Sequence, residues 1–220
     1  RFFDIDPEKI TVIPNGIDRQ FKVEPSTEAI SRVQERYQLK SPFLLYVGNV
    51  KPHKNLERLI DAFFKLRKGG LTTLTLLIIG DEITKYTTLR RTVHRYQLHK
   101  YVRFLGFVPS DTLSILYRLA DAFVFPSLYE GFGLPPLEAM ASGTPVVTSN
   151  VSSLPEVVGN AAMLVDPYDV DSIANGIQAV LEDSAYREKL IKNGFDRAKI
   201  YSWERSVIKI KQIYDELSRS

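Results

Sequence analysis

Apolar runs rich in β-branched and aromatic residues recur along the chain at 43–48 (FLLYVG), 74–80 (LTLLIIG), 102–108 (VRFLGFV), 122–127 (AFVFPS), 144–149 (TPVVTS) and 161–166 (AAMLVD). None alternates strictly between apolar and polar positions, so each strand is expected to be covered on both faces, the pattern of a parallel sheet. Between most of these runs the apolar positions recur every three or four residues. The segment 55–68 places Leu56, Leu59, Ile60, Phe63 and Phe64 at that spacing, 110–121 opens on a Ser/Asp cap signal, and 169–183 repeats the helical pattern. Strands alternating with amphipathic helices predict an α/β protein: a Rossmann-like parallel sheet with helices on both faces.

The two ends of the chain read differently. Residues 8–21 (EKITVIPNGIDRQF) predict a further strand followed by a Pro-Asn-Gly turn, in which Gly16 can adopt positive φ and Asn15 can bond its own backbone. Residues 201–220 begin at a Ser cap and predict a closing C-terminal helix. No internal repeat, low-complexity tract or long linker interrupts the series, so 1–220 is expected to form one domain.

Composition narrows the class. At 220 residues, with 44% hydrophobic and 25% charged residues and 12 each of Gly and Pro, the chain can bury an ordinary core, which excludes disordered and collagen-like proteins. There is no Cys, which removes disulfides, thiolate zinc sites and cysteine nucleophiles and fits a reducing compartment. No apolar run approaches the roughly 20 residues of a membrane span, and RFFDIDPEK carries no signal-peptide pattern. A cytoplasmic location is therefore expected, one compatible with peripheral association at the inner face of the membrane. A net charge of +3 does not point to nucleic acid as a partner. Its distribution is uneven: from Ile83 to Ser110 there is no acidic residue, while Lys85, Arg90, Arg91, Arg95, Lys100 and Arg103 fall there with His94 and His99. Such a patch reads as a solvated helix face or, more sharply, as attraction to an anionic bilayer surface or ligand.

Candidate chemistry concentrates at two strand-to-helix connections. Residues 127–147 (SLYEGFGLPPLEAMASGTPVV) follow the predicted strand at 122–127. In open α/β sheets, ligands gather at the carboxyl ends of strands and at helix N-termini, where unpaired N–H groups and the helix dipole favour an anion. Gly131 and Gly133 allow close backbone approach. Pro135 and Pro136 suit a first helical turn and leave the Gly133 and Leu134 amides as donors, a phosphate cradle without a P-loop. Glu130 and Glu138, eight residues apart, are placed either to flank one pocket or to serve as a solvated carboxylate and a helix-dipole partner. The second connection, 46–59 (YVGNVKPHKNLERL), crowds Lys51, His53 and Lys54 into a turn with Asn55 positioned to cap a helix. It reads as a common lysine-bearing surface turn or as an ammonium group holding a pyrophosphate. P-loop, HExxH and GxSxG templates are missing, and GFGLPP (131–136) has Pro where a dinucleotide-binding motif needs its last Gly. The Asp4/Asp6 and Asp169/Asp171 pairs read as helix caps, and the three histidines lack ligand-like spacing, so no metal site is expected.

The stretch EGFGLPPLEAMASGTPVV, together with VIPNGID (12–18), YVGNVKPHKNL (46–56), LPEVVGNAAMLVDP (154–167) and YSWE (201–204), closely resembles the C-terminal domain of the family 4 retaining glycosyltransferases of GT-B fold. The likeness runs from about residue 8 to 215. It implies one half of a two-Rossmann enzyme, the half that binds a nucleotide-sugar donor of the GDP-mannose or UDP-sugar type. The N-terminal domain that holds a saccharide or lipid-linked saccharide acceptor would be absent, and this chain alone would be inactive or weakly active. By the same resemblance, Lys54 contacts the donor phosphates, Glu130 faces the transferred sugar, and these two are the catalytic pair. Glu138 bonds the ribose hydroxyls, the Gly133 and Leu134 amides receive the distal phosphate within the turn that also contains Gly131 and Phe132, and Val108 offers backbone contacts to the base. Two positions depart. Gly48-Asn49 stands where many members have Gly-Arg, with Lys51 the candidate to replace that charge, and Ser152-Ser153 replaces a Gly-Gly pair while keeping hydroxyls able to donate to the donor. The PHKN turn leans towards mannosyl- or glucosyltransferases. Breaking the anomeric C–O bond loads charge onto a nucleoside diphosphate, which fixed donors and a lysine stabilise, so no metal or cofactor is expected. Glu130 then acts as a positioning and electrostatic group. A non-catalytic nucleotide-binding module, which does not need Glu130, and a nucleotide-sugar epimerase of related fold are the alternatives.

Overall fold

The computed structural model describes residues 5–80 and 86–218, so Asp4 and Lys85 lie outside the described residues. Six strands, β1 (Phe43–Val47), β2 (Thr75–Ile79), β3 (Val102–Gly106), β4 (Ala122–Phe125), β5 (Val146–Ser149) and β6 (Ala162–Val165), form one sheet in the order β3-β2-β1-β4-β5-β6. Every pairing is parallel. All six predicted strands are present, each shorter than its apolar run. The run at 102–108 ends as a strand at Gly106, leaving Phe107 exposed and Val108 buried beyond it.

The absence of alternation has the expected cause. Leu44, Leu45 and Tyr46 are consecutive in β1 and all fully buried, because helices cover both faces of the sheet. The helices are α1 (Thr27–Tyr37), α2 (Leu56–Lys68), α3 (Thr87–Arg95), α4 (Ser110–Leu119), α5 (Leu134–Ala141), α6 (Leu154–Val158), α7 (Val170–Glu182), α8 (Ser184–Ile200) and α9 (Trp203–Leu217). Helix α2 buries Leu59, Ile60 and Phe63 as its spacing predicts, while Phe64, at the edge of that face, stacks on Tyr96 with ring centroids 4.1 Å apart. One member of each Asp pair acts as a cap among the described residues: Asp169 accepts from the Asp171 amide at 2.8 Å and Asp6 from the Glu8 amide at 3.1 Å. At α4 the capping residue is Pro109 with no side-chain cap, and Asp111 instead accepts from Thr112 N at 2.6 Å.

The expected strand within 8–21 is not formed. The segment holds two short 3-10 turns, Pro7–Lys9 and Arg19–Lys22, and its backbone meets the α8–α9 corner instead of a strand. Ile17 N donates to Tyr201 O at 3.3 Å and Ser206 Oγ to Pro14 O at 2.6 Å, while Ile10 and Val12 stay exposed. Gly16 is required there for space and not for positive φ, since a Cβ would stand 2.3 Å from Trp203 N.

The connectivity fixes where a ligand can sit. From β1 the chain winds outward through α2, β2, α3 and β3, then returns through α4 to β4, which lies on the other side of β1. From β4 it winds away through α5, β5, α6 and β6. The connections leaving β1 and β4 therefore diverge to opposite sides, and the carboxyl ends of these two strands open the crevice of a topological switch point.

Candidate active site

Both connections singled out in the sequence leave the sheet at that switch point. Strand β1 exits through Gly48 into the 3-10 turn Pro52–Lys54 and α2, and β4 exits through Pro126 into the loop before α5. There Lys54 Nζ meets Glu130 Oε1 at 2.5 Å, each side chain only 13% exposed, and Nζ lies 5.1 Å from the centre of the Phe125 ring. Lys54 is thus not a free surface charge but half of a largely buried ion pair between residues 76 apart in sequence. A main-chain bond from Leu128 N to His53 O, at 2.7 Å, joins the same two loops.

Asn55 occupies the N-cap position of α2, its carbonyl accepting from Leu59 N at 3.2 Å, but its side chain makes no capping bond. It takes the left-handed conformation (φ 60°, ψ 31°), which Asn tolerates better than most residues, and its side chain turns inward. The amide nitrogen donates to Pro126 O at 3.0 Å and to Pro167 O at 2.7 Å, and the amide oxygen accepts from Arg58 Nη1 at 3.0 Å. With Asn55 only 4% exposed, one primary amide ties together the exits of β1, β4 and β6.

Gly133 begins α5 at φ 119°, ψ 53°, with no side-chain cap, and Pro135 and Pro136 contribute no N–H. Among the described residues the amides of Gly133 and Leu134 have no acceptor, leaving two aligned donors at a helix N-terminus. A Cβ on Gly133 would stand 2.9 Å from Leu154 Cδ2, whereas Gly131 lies in open space. The Phe132 ring packs edge-on against Tyr201 at 5.6 Å, so this residue offers the crevice its backbone. Ser152 and Ser153 are engaged within the loop. Ser152 Oγ donates to Glu130 O at 2.8 Å and accepts from Glu130 N at 3.1 Å, while Ser153 Oγ reaches the carbonyls of Glu130 (2.9 Å) and Phe132 (2.7 Å). Their hydroxyl protons hold the Glu130 loop and are not free for a donor.

Glu138, in the second turn of α5, is half-buried and accepts from Tyr117 Oη at 3.0 Å. Burial raises its carboxyl above the ordinary value of 4.5, opposed by the Tyr117 bond and reinforced by the negative charge of Asp18. The Tyr117 phenol, fully buried, is pushed well above the ordinary tyrosine range. Sequence reasoning missed Tyr117, whose apolar-face position in α4 is that of any core aromatic. Of the remaining sequence-derived positions, Asn49 is exposed and Val108 can present only its backbone. Lys51 lies on the wall of a neighbouring cavity of about 560 Å³, together with Pro52, Asn55, Tyr86 and Thr87. Glu130 and Lys54 do not line that cavity. The basic residues gather two strands away from β1, where Arg90, Arg91, His94 and His99 surround an apolar floor of Val93, Val102 and Phe104 in a cavity of about 520 Å³. Among the described residues no group of three or more His, Asp or Glu side chains is arranged to hold a metal ion, and no helix is long and apolar enough to cross a membrane.

Residues 28–197 match the family profile "Glycosyl transferases group 1". The chain belongs to this family. O-antigen chain mannosyltransferase B of Escherichia coli is 41% identical over 205 residues, a match covering 93% of this chain and 54% of that protein. Among solved structures, sucrose-phosphate synthase from Thermosynechococcus elongatus superposes with a TM-score of 0.81 at 31% identity, covering 94% of this chain and 52% of the other. Anabaena HepE, solved in complex with UDP and glucose, gives a TM-score of 0.82 at 26% identity, covering 98% and 58%. The group 1 glycosyl transferase chain described here thus spans about half the length of the curated relatives it matches, and its sheet is a Rossmann-like unit of the GT-B type.

Two tests probe the architecture of this site. Asn55→Ala strands two buried carbonyls and is expected to cost about 1–3 kcal/mol in denaturant unfolding. Asn55→Asp costs more, because a carboxylate then faces both oxygens; equal stability of the Asp variant and the parent refutes the tie. The second test is pH-dependent. The folded carboxyl of Glu138 holds its proton more tightly than the unfolded one, so its contribution to stability falls as pH rises through the window from 4.5 to the raised folded value, opposite to a salt-bridged carboxylate. Glu138→Gln, which cannot ionise, gains stability relative to the parent as pH rises from below 4.5 through the raised folded value. A difference that stays constant as pH rises through that window contradicts the assignment.

Proposed function

We propose that this chain binds the nucleotide-sugar donor of a hexosyl-transferring enzyme at the β1/β4 switch point. The observation that carries the reading is the Lys54/Glu130 pair standing where the two strand exits diverge, on the same connection as the unpaired Gly133 and Leu134 amides of α5. A diphosphate needs fixed positive groups on both of its faces, and an ammonium and a helix N-terminus supply them. Lys54 and the two amides hold the phosphates, Glu130 orients the sugar hydroxyls, Glu138 takes the ribose, and the backbone at Val108 meets the base. Lys51 is the second cation in place of the arginine that Asn49 replaces.

As the anomeric C–O bond breaks, negative charge grows on the departing diphosphate. Lys54 and the amides are already in place, so that charge is stabilised without reorganisation. This assignment routes no step through a metal or cofactor. Configuration is retained with the acceptor entering on the leaving-group face, and Glu130 acts by position and charge. The names of the relatives support a mannosyl or glucosyl donor of the GDP-mannose or UDP-sugar type. The acceptor, a saccharide or lipid-linked saccharide, is held by the part of the relatives' length that this chain does not span. The isolated chain therefore binds donor and transfers little.

Calorimetric titration with UDP, GDP and their sugars tests the assignment. Lys54→Gln lowers diphosphate affinity by about 1.5–3 kcal/mol and leaves the bare nucleoside unaffected. It also leaves Glu130 without its partner, so stability falls and binding is read well below the unfolding transition. Glu138→Ala weakens nucleotide and nucleotide-sugar alike by about 1–3 kcal/mol, whereas Glu130→Ala weakens only the nucleotide-sugar. Equal losses on both ligands for both variants mean that the two roles are wrongly divided. Robust transfer by this chain alone overturns the division of labour.

The basic face of α3 and the β3 edge supports attachment to the inner, anionic face of a membrane. Vesicles containing phosphatidylglycerol are expected to pull down the protein at low salt, and pure phosphatidylcholine vesicles are not. Arg90→Glu/Arg91→Glu abolishes the effect; binding that ignores lipid charge disproves it.

A further inference from the structure

We propose that Tyr117 is a positioning residue of the nucleotide site, holding one carboxylate oxygen of Glu138 so that the other is presented to the ribose. The proposal rests on the reading above that Glu138 takes the ribose.

Tyr117 lies on the core face of α4 and is fully buried, a position where Phe or Leu would pack without a polar atom. Burying a hydroxyl is unfavourable unless it is bonded, and this one finds its acceptor on a different helix, at Glu138 Oε2, 3.0 Å away. The donor itself is immobile. Its ring is wedged edge-on between Phe21 (5.7 Å) and Phe123 (5.3 Å), and its main-chain oxygen accepts from Thr144 Oγ1 at 2.5 Å. A glutamate has three rotatable bonds, so a carboxylate facing a crevice with no anchor loses rotamer freedom when it meets a ligand. Here that freedom is already removed. Among the described residues Tyr117 is the donor to Glu138, which leaves Oε1 and the outer lone pairs for the vicinal hydroxyls of a ribose.

Charge favours the same arrangement. The phenol resists ionisation, so it remains a donor throughout the working pH range, and its bond opposes the burial and the Asp18 charge that push Glu138 towards the protonated form. Tyr117 thus also keeps Glu138 an acceptor. Its effect is confined to ligands that carry ribose hydroxyls, which separates positioning from general support of the fold.

The test is calorimetry with UDP and GDP and with their 2′,3′-dideoxy analogues on the parent, Tyr117→Phe, Glu138→Ala and the double variant. Tyr117→Phe keeps the ring in its slot and is expected to weaken the ribonucleotide about five- to twenty-fold while leaving the dideoxy analogue within about two-fold of the parent. In the Glu138→Ala background the same change has no further effect. If Tyr117→Phe keeps the parent's preference for ribose while Glu138→Ala loses it, Tyr117 has no positioning role and the ribose assignment of Glu138 stands. If Tyr117→Phe weakens both analogues equally, its role is structural and the proposal fails. If Glu138→Ala keeps the full preference, the ribose assignment itself is wrong. Should Tyr117→Phe not fold with a carboxylate left unbonded, Tyr117→Phe/Glu138→Gln compared with Glu138→Gln makes the same comparison without the stranded charge, and an unchanged ribose preference there refutes the proposal.

Discussion

At the carboxyl edge of the sheet two main-chain carbonyls, those of Pro126 and Pro167, point inward where their strands have already ended and no neighbouring strand can donate to them. A buried carbonyl without a donor is destabilising, and a primary amide is the one neutral side-chain group that brings two protons to a single point. Asn55 meets both carbonyls at once, from a backbone conformation that most other residues adopt only under strain. The groups of the site hang on this tie. Lys54 precedes Asn55 directly, and Glu130 follows Pro126 by four residues, so fixing the amide fixes the span across which the ion pair closes.

A second set of bonds stiffens the opposite wall. Ser152 and Ser153, at the start of α6, hold the backbone of the Glu130 loop, while Tyr117, from α4, holds the end of Glu138. None of these supporting groups is close in sequence to the residue it supports. The sheet brings them together because β1, β4 and β5 are neighbours, so each exit loop borrows its rigidity from another.

This dependence explains which features the sequence disclosed. Strands buried on both faces show as continuous apolar runs, so all six were legible, and helix α2 showed its face because a 3.6-residue period is a local property. Lys54 and Glu130 were visible as charged residues beside strand ends and through the family resemblance. Their mutual contact was not, because it spans 76 residues. Asn55 was legible as the N-cap residue of α2, but the destination of its side chain was not, because two distant carbonyls decide it. Residues 8–21 have strand-like composition, but a strand needs a partner, and their backbone partner is the α8–α9 corner. Ser152 and Ser153 looked like free hydroxyls since nothing local reveals what a serine faces.

The crevice holds a matched pair of opposite charges rather than a bare cation, which bears on any anion that would compete for Lys54. A ligand that draws Lys54 away leaves Glu130 largely dehydrated and uncompensated, which is unfavourable. Inorganic phosphate or a nucleotide without a sugar has nothing to offer that carboxylate. Under the proposed assignment a nucleotide-sugar would bring hydroxyl protons to Glu130 while its phosphates occupy Lys54, so both members of the pair would exchange one partner for another. On that reading, discrimination against the abundant anions of a cell would come from the Lys54–Glu130 contact itself, before any part of the sugar is recognised by shape.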